Sequence, residues 1–550
     1  MTQIRAFRTF AFLLALATAV SPLTPANAAS TTVEIQILNV SDWHAQLDPL
    51  SNVGGAAALA TYFQADRAAN PNTLTLTAGD AFGASPPLSG FFDEEPGVRA
   101  MRLMGFNADT LGNHNFDRGV AHLQSLINLA ADDGGLVPGD PFSYVSANLR
   151  NVEDNLTGVA PYKLFDVGGV TVAVIGITNP EAPTLVFPGS FGTIEVTNPI
   201  PAANKAKARA KREGAKIFVA ITHLGVTGFD PATGAAAGPL IDFANNVGGF
   251  DVIFGDHTDV QYSGIHNNAL VVENRSKGVT YSKTLLTIDP GNGRVANRTH
   301  TFVTPVASAV TPDPAIVVML APYRTALAAA FDATIGVAAA LFPRGGNIER
   351  RQEVAIGNLI ADAIRLRYGT QLALTNGGGI RASLPSSYLP ADLTLRRTAP
   401  PYVVGPPFDL VIGDVFTVLP FGNSVVTRTV TGAQLYAALE NGVSRINPDG
   451  TGTDGRFPQI SGFKFTFHYL NPVGSRVTAV ELADGTLVLP DSTTYTFATN
   501  DFVNAGGDGY TMFADGQGVT REVMANVVQE YIQDLNTITP TIEGRISKLP

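Results

Sequence analysis

The run Leu111-Gly112-Asn113-His114-Asn115-Phe116-Asp117 sets an amide, an imidazole and a carboxylate within five residues. A neutral amide is a weak metal ligand, and a carboxylate three positions after an imidazole can hold that ring in one tautomer. Similar groups recur in Asp42-Trp43-His44, Gly79-Asp80, His223 and Asp256-His257-Thr258-Asp259. Asp42, His44, Asp80, Asn113, His223, His257 and Asp259 offer oxygen and nitrogen but no sulfur. That donor set suits divalent ions such as Zn²⁺, Mn²⁺ or Mg²⁺. Seven ligands are too many for one tetrahedral ion, but they suit two ions of higher coordination that share a carboxylate. Asp80, with Gly79 before it to permit close approach, is the expected bridge. Two ions about 3.5–4 Å apart bind a phosphoryl group and an attacking hydroxide together, which replaces a side-chain nucleophile. His122, His266, His300 and His468 fall elsewhere and read as structural or surface residues, and Asp256, an alternative ligand, reads rather as a loop residue beside His257.

These groups need a scaffold that brings distant segments together. Val33, Ile35 and Ile37 alternate into Asp42, and Leu74 and Leu76 alternate into Asp80. Ala108 to Leu111 precedes Asn113. The apolar runs Ile217 to Ile221 and Val252 to Phe254 end at His223 and Gly255. Five times an expected strand ends in a loop bearing Asp, His or Asn, with segments at helical spacing between, which is the α/β pattern. In open α/β sheets the ligand site lies beyond the carboxyl ends of strands, so the five loops can converge.

A second domain follows a connection at Thr301 to Pro314 and a helix expected over Ala315 to Phe331. Ile356, Leu359, Ile360, Ala363 and Ile364 form a helical stripe. A short strand, Leu372 to Leu374, runs into Asn376-Gly377-Gly378-Gly379-Ile380-Arg381, which offers close backbone approach and a planar cation. After a Pro-rich insertion at about 383–407, Thr431-Gly432-Ala433-Gln434 is a capping-box helix start. Phe421 and Phe502 stand in Gly- and Asn-rich loops, where a bare ring is costly unless it covers something. A flat base between two rings would serve, at about 1–3 kcal/mol of stacking.

The 550 residues exceed what one core usually serves, and the composition is that of a folded protein. Residues 1–28 read as an export signal, with Arg5 and Arg8, an apolar core from Phe10 to Val20, and an Ala26-Asn27-Ala28 cleavage site. The apolar core is near eleven residues, against about 20 for a membrane span. No later segment reads as a span, and Gly544 to Pro550 lacks the apolar tail of a lipid-anchor signal. With no cysteine, disulfides, thiolate ligands and cysteine nucleophiles are excluded. Cleavage would leave 34 basic against 47 acidic residues, a charge of −13, which argues against a nucleic-acid polymer as partner.

On these motifs residues 33–260 resemble the calcineurin-like metallophosphatase domain, and residues 345–545 resemble the C-terminal domain of the 5'-nucleotidase family. The resemblance implies a four-layer α/β sandwich (29–310), a linker helix region (311–340) and an α+β substrate-binding domain (341–550). It implies that Asp42, His44, Asp80 and Asp259 hold one divalent ion (Zn, Mn or Mg), and Asp80, Asn113, His223 and His257 another. His114 would stabilise the phosphate or protonate the leaving oxygen, oriented by Asp117. Arg350, Asn376 and Arg381 would contact phosphate or ribose, Asp508 a ribose hydroxyl, and Phe421 and Phe502 the base. The second domain would rotate to carry substrate to the metals. Three positions depart from the family: Asn115 stands for a usual Glu, Asp259 for a His or Gln, and Asn358 for an Arg found in some members. The implied protein is an exported, periplasmic or extracellular, nucleoside 5'-monophosphate hydrolase, monomeric or homodimeric, acting on a small-molecule nucleotide. The alternatives on this scaffold are a 2',3'-cyclic nucleotide phosphodiesterase with 3'-nucleotidase activity and a UDP-sugar hydrolase. A nucleotide-binding surface protein without turnover is the non-enzymatic alternative.

Overall fold

The computed structural model describes residues 32–131, 142–230, 232–289 and 291–550, so the export signal at 1–28 lies outside the described residues. Strand Val33–Val40 sits inside a seven-stranded sheet, parallel to Thr73–Thr77 and antiparallel to Tyr281–Asp289. A six-stranded sheet is centred on Ile217–Thr222, parallel to both Val170–Ile177 and Val252–Gly255. Ile35, Ile37, Leu74 and Leu76 of the first sheet meet Val172, Val174, Val219, Ile221 and Phe254 of the second in one buried cluster. Helices Ala56–Ala69, Glu95–Met104 and Gly119–Ala131 cover the outer face of the first sheet, and Pro199–Arg212 and Pro239–Asn246 that of the second. Both sheets are therefore covered on both faces, and in the second the strands Ile217–Thr222 and Val252–Gly255 read as nearly continuous apolar runs. The result is the expected helix–sheet–sheet–helix sandwich. The strand expected through Leu111 stops at Asp109, and the Gly112 N–H beyond it donates to Asn115 Oδ1.

The connecting helix spans Pro314–Phe331, with Pro at its first position and the Asp313 carboxylate accepting the Ile316 N–H at 3.0 Å. It is long and apolar enough to cross a membrane by length and composition, which corrects the expectation that no segment past the leader qualifies. Ile316, Leu320, Leu327 and Phe331 are its buried residues, while Val317 and Val318 are exposed; Phe331 lies edge-on to Phe91 at 5.0 Å and to Phe416 at 5.1 Å, which ties the helix to both domains.

In the second domain, helix Ala355–Tyr368 buries all five residues of the expected stripe. It packs on a five-stranded sheet containing Leu372–Asn376, Ser424–Thr431 and Thr494–Asn500. The first of these runs two residues past its expected end, so Asn376 is itself in the strand. The capping box at Thr431 and Gln434 is formed, and starts helix Gly432–Val443.

Candidate active site

Four donor atoms meet around one point. His223 Nε2 lies 3.0 Å from Asp80 Oδ2, 3.1 Å from Asn113 Oδ1 and 3.1 Å from His257 Nδ1. Ligands about 2.1 Å from a common ion and at right angles to one another stand about 3 Å apart, so this spacing fits a divalent ion. Asp42, His44 and Asp80 form a second group of mutually close ligand atoms, and Asp80 belongs to both. His44 Nδ1 faces the Gly83 carbonyl at 2.8 Å, which directs Nε2 to the site. Arg381 donates to that Nε2 at 3.3 Å. One lone pair cannot serve both, so ligation through His44 Nε2 would release the guanidinium.

The electrostatics of the nest are those of a site built for a cation. Burial raises the Asp42 carboxyl to about 6. Burial also opposes charge on Asp80, but His223 and His114 beside it hold it below the ordinary carboxylate range. His223 is raised to about 9, because Asp80 and Asp42 outweigh the cost of burying its charge. Burial and His223 push His257 down to about 3. Asp256 is buried as well, and accepts the Asp42 N–H at 2.9 Å and the His257 N–H at 3.0 Å. It also comes close to Asp42 and His223 in a third group able to ligate, the alternative to its reading as a loop residue.

Backbone strain gathers at the same residues. Asp42, His44, Asp80, His257 and Asp259 all adopt positive φ, from 39° to 91°, a conformation costly for side chains of this kind. Two glycines make room for the ligands. A Cβ on Gly79 would stand 2.6 Å from His223 Nδ1, and one on Gly112 would stand 2.2 Å from Asp80 Oδ1. Asn115, the departure from Glu, is buried and ties the two loops together: its Oδ1 accepts the Gly112 N–H at 2.7 Å and the Asp80 N–H at 3.3 Å.

His114 Nδ1 lies 3.0 and 3.1 Å from the two oxygens of Asp117, and Asp117 also accepts the Ala84 N–H at 3.0 Å. The other edge of the imidazole ring is left to a cavity of about 480 Å³ that both domains line. Asn113, His114, Asp117 and His257 form part of one wall. Arg350, Asn376, Arg381, Phe421, Phe502 and Asp508 contribute to the other. Phe421 stacks on His114 with centroids 5.6 Å apart, and the Arg381 guanidinium lies 5.8 Å from the Phe421 ring centre. Asn376 donates to Asp508 Oδ2 at 2.8 Å, so it serves as a support for that carboxylate. Burial, with Asp454 nearby, raises Asp508 to about 6. Burial and the neighbouring Arg350 and Arg344 lower Arg381 to about 10, the mark of a local surplus of cations.

Two sequence readings meet a different environment. Asp259 is in none of the close ligand groups; its Oδ2 accepts from Asn347 Nδ2 of the second domain at 3.0 Å. Asn358 is buried and donates to Glu353 Oε1 at 2.8 Å, away from the cavity. Lys277, Arg344 and Asn347 escaped the sequence reading. Lys277 follows the strand Ala269–Glu273, a sixth strand-end loop whose position was the available signal. Its Nζ donates to the Arg381 carbonyl at 2.9 Å.

Comparison with known proteins agrees with this geometry. The profile of the 5'-nucleotidase C-terminal domain matches residues 334–515. Endonuclease YhcR of Bacillus subtilis (strain 168) is 28% identical over 534 residues, 94% of this chain; the chain spans only 41% of that protein's length. A 5'-nucleotidase of Diplobatis ommata is 26% identical over 560 residues, 93% of this chain and 89% of that one. The crystal structure of a 5'-nucleotidase precursor from Thermus thermophilus superposes with a TM-score of 0.79 at 29% identity, covering 94% of this chain and 99% of that one. A two-sheet sandwich whose strand ends gather Asp, His and Asn is thus joined to a C-terminal domain of the 5'-nucleotidase family, and the chain is similar to 5'-nucleotidases over most of its length.

Proposed function

We propose that this protein is an exported, metal-dependent phosphohydrolase that cleaves nucleoside 5'-monophosphates to nucleoside and phosphate. The observation that carries the reading is the shared cavity, where Asn113 and His257 of the ligand nest, with His114 and Asp117, face guanidinium groups and two aromatic rings. Asp42, His44, Asp80, Asn113, His223 and His257 would hold two divalent ions, with Asp80 between them. Such ions supply charge neutralisation and an acidified water at phosphorus. The chain's own residues do the rest. Arg350 and Arg381 grip the phosphate oxygens. His114 has Nδ1 committed to Asp117, so Nε2 is the atom that holds or hands over a proton at the departing 5' oxygen. Phe421 and Phe502 bracket the base, and Asp508, steadied by Asn376, accepts from a ribose hydroxyl. Export follows from the Arg5–Ala28 leader in the sequence.

The test is phosphate release by the metal-stripped protein resupplied with Mn²⁺, Zn²⁺, Mg²⁺ or Co²⁺, against AMP, 3'-AMP, 2',3'-cyclic AMP and UDP-glucose. Metal-restored release from AMP supports the reading. Cleavage of the cyclic or sugar nucleotide with AMP left intact replaces the substrate class and keeps the metal centre. Tight AMP binding with no release under any ion would leave a binding protein.

A further inference from the structure

Glu273 ends the strand Ala269–Glu273 and is wholly buried, yet the proposed reaction makes no use of it. It pairs in register with Gly255, the last strand residue before the His257 loop. Its two oxygens reach both histidine loops of the metal nest. Oε2 accepts the N–H of Val226, a residue of the loop that follows His223, at 2.7 Å. Oε1 accepts the Val260 N–H at 3.3 Å and stands 2.6 Å from the hydroxyl oxygen of Thr258, the residue after His257. That hydroxyl also lies 2.8 Å from the Val226 carbonyl. Gly225 makes room for it, since a Cβ there would stand 2.3 Å from Thr258 Oγ1.

Thr258 thus has two short oxygen contacts, and each needs a hydrogen, because bare oxygens at 2.6 or 2.8 Å repel. The hydroxyl holds one hydrogen and the Val226 carbonyl holds none, so the second must ride on Glu273 Oε1. We propose that Glu273 is a positioning residue that keeps its proton: Oε1–H donates to Thr258 Oγ1, Thr258 Oγ1–H donates to the Val226 carbonyl, and Oε2 accepts the Val226 N–H. This ring of hydrogen bonds ties the loop of His223 to the loop of His257, whose facing ring nitrogens stand 3.1 Å apart. The partners of Glu273 are two backbone N–H groups and one hydroxyl, none of them charged, and an ionised carboxylate so placed is costly. Burial pushes the Glu273 carboxyl well above the ordinary carboxylate range. The purpose of the tie rests on the proposed reaction; its hydrogen count does not.

The test combines infrared spectroscopy with Mn²⁺ titration of the full-length protein. The difference spectrum of wild type minus Glu273→Gln at neutral pH should show the carbonyl stretch of a protonated carboxyl. Glu273→Gln keeps a donor toward Thr258 and an acceptor for Val226, losing only the 3.3 Å contact, and should bind Mn²⁺ as wild type does. Glu273→Met keeps the length of the side chain but neither function. It should weaken one Mn²⁺ site about 10–100-fold, the cost of removing support behind a metal ligand. Thr258→Val should do the same, and Thr258→Ser should bind as wild type. A difference spectrum without the protonated band would overturn the proposal, as would Glu273→Gln binding as weakly as Glu273→Met, or Glu273→Met binding as wild type. If Glu273→Met does not fold, the spectrum and the two Thr258 variants decide. A wild-type protein that binds no divalent ion would sink the proposed reaction, while the spectrum would still decide the proton on Glu273.

Discussion

Gly112→Ala isolates the geometry of the metal nest from its chemistry, because it removes no ligand. The Gly112 backbone is not left-handed, so alanine brings no conformational penalty of its own. Its Cβ would stand 2.2 Å from Asp80 Oδ1 and 2.7 Å from His223 Cε1, where real Cβ contacts essentially never come under 3.0 Å. Asp80 must therefore retreat by at least 0.8 Å, the difference between 3.0 and 2.2 Å. Asp80 is buried and its two oxygens already serve the His114 N–H and His223, so it cannot move alone. Overpacking of this kind costs about 1–3 kcal/mol of stability. A displacement near 1 Å in a catalytic constellation costs on the order of 10²-fold in rate. The assay is phosphate release from AMP at saturating metal, beside metal affinity by titration. Turnover should fall about a hundredfold and metal affinity weaken. Gly248→Ala, at a non-left-handed glycine with open space around it, should match wild type in both. If Gly112→Ala also matches wild type, Asp80 is not a fixed bridging ligand and the two-ion arrangement is wrong.

Three further outcomes are expected. His114→Asn should cut turnover by about 10²–10⁴-fold with metal content intact; unchanged turnover would remove His114 from the reaction. Chelation should lower the melting transition of the first domain, which holds every metal-nest residue, and leave that of the second in place. At about 1,000-fold excess over Kd a bound ion is worth about 4 kcal/mol, and equal sensitivity of both transitions to chelator would contradict the placement. Asp508→Asn should stabilise the second domain in a pH-dependent way. The folded state holds the Asp508 proton up to about 6 rather than the ordinary 3.8, so its contribution to stability is present below 3.8 and lost as pH rises through 6. That interval is worth at most about 3 kcal/mol. The variant should therefore melt higher than wild type at pH 8 and equally at pH 3.5, with KM for AMP raised. A pH-independent difference would refute the assigned cause.

The metal nest was legible in the sequence because its residues sit where strands end. Asp42, Asp80, Asn113, His223 and His257 each follow an apolar run whose carboxyl end is fixed by the sheet, and the parallel strands carry those ends to one edge. The helical stripe from Ile356 to Ile364 and the Thr431–Gln434 box were legible for the same reason, since each is decided by local spacing. Contacts between the domains were not. Nothing in the local sequence says that Asn347 meets Asp259 across 88 positions, or that Lys277 reaches the Arg381 carbonyl across 104. The resemblance made Asn376 a substrate contact, and it lines the cavity; its hydrogen bond to Asp508, 132 positions away, adds a supporting role that no local pattern reveals. The strand at Ala108–Asp109 is shorter than the apolar pattern to Leu111 suggests, and the loop beyond it is held by a side chain, Asn115, that local spacing does not announce.

The opposed walls of the cavity bear on the order in which products depart. On the proposed reading, the guanidinium groups of Arg350 and Arg381 that seize the substrate's phosphate are the same groups that face free phosphate once the ester bond is broken. The nucleoside, by contrast, keeps only its stacking on Phe421 and Phe502 and its contact with Asp508. Neutral and loosely held, it leaves first, and the dianion remains until the arginines let it go. Inorganic phosphate then competes with substrate for the vacated enzyme, so on this reading the reaction slows as its own product accumulates.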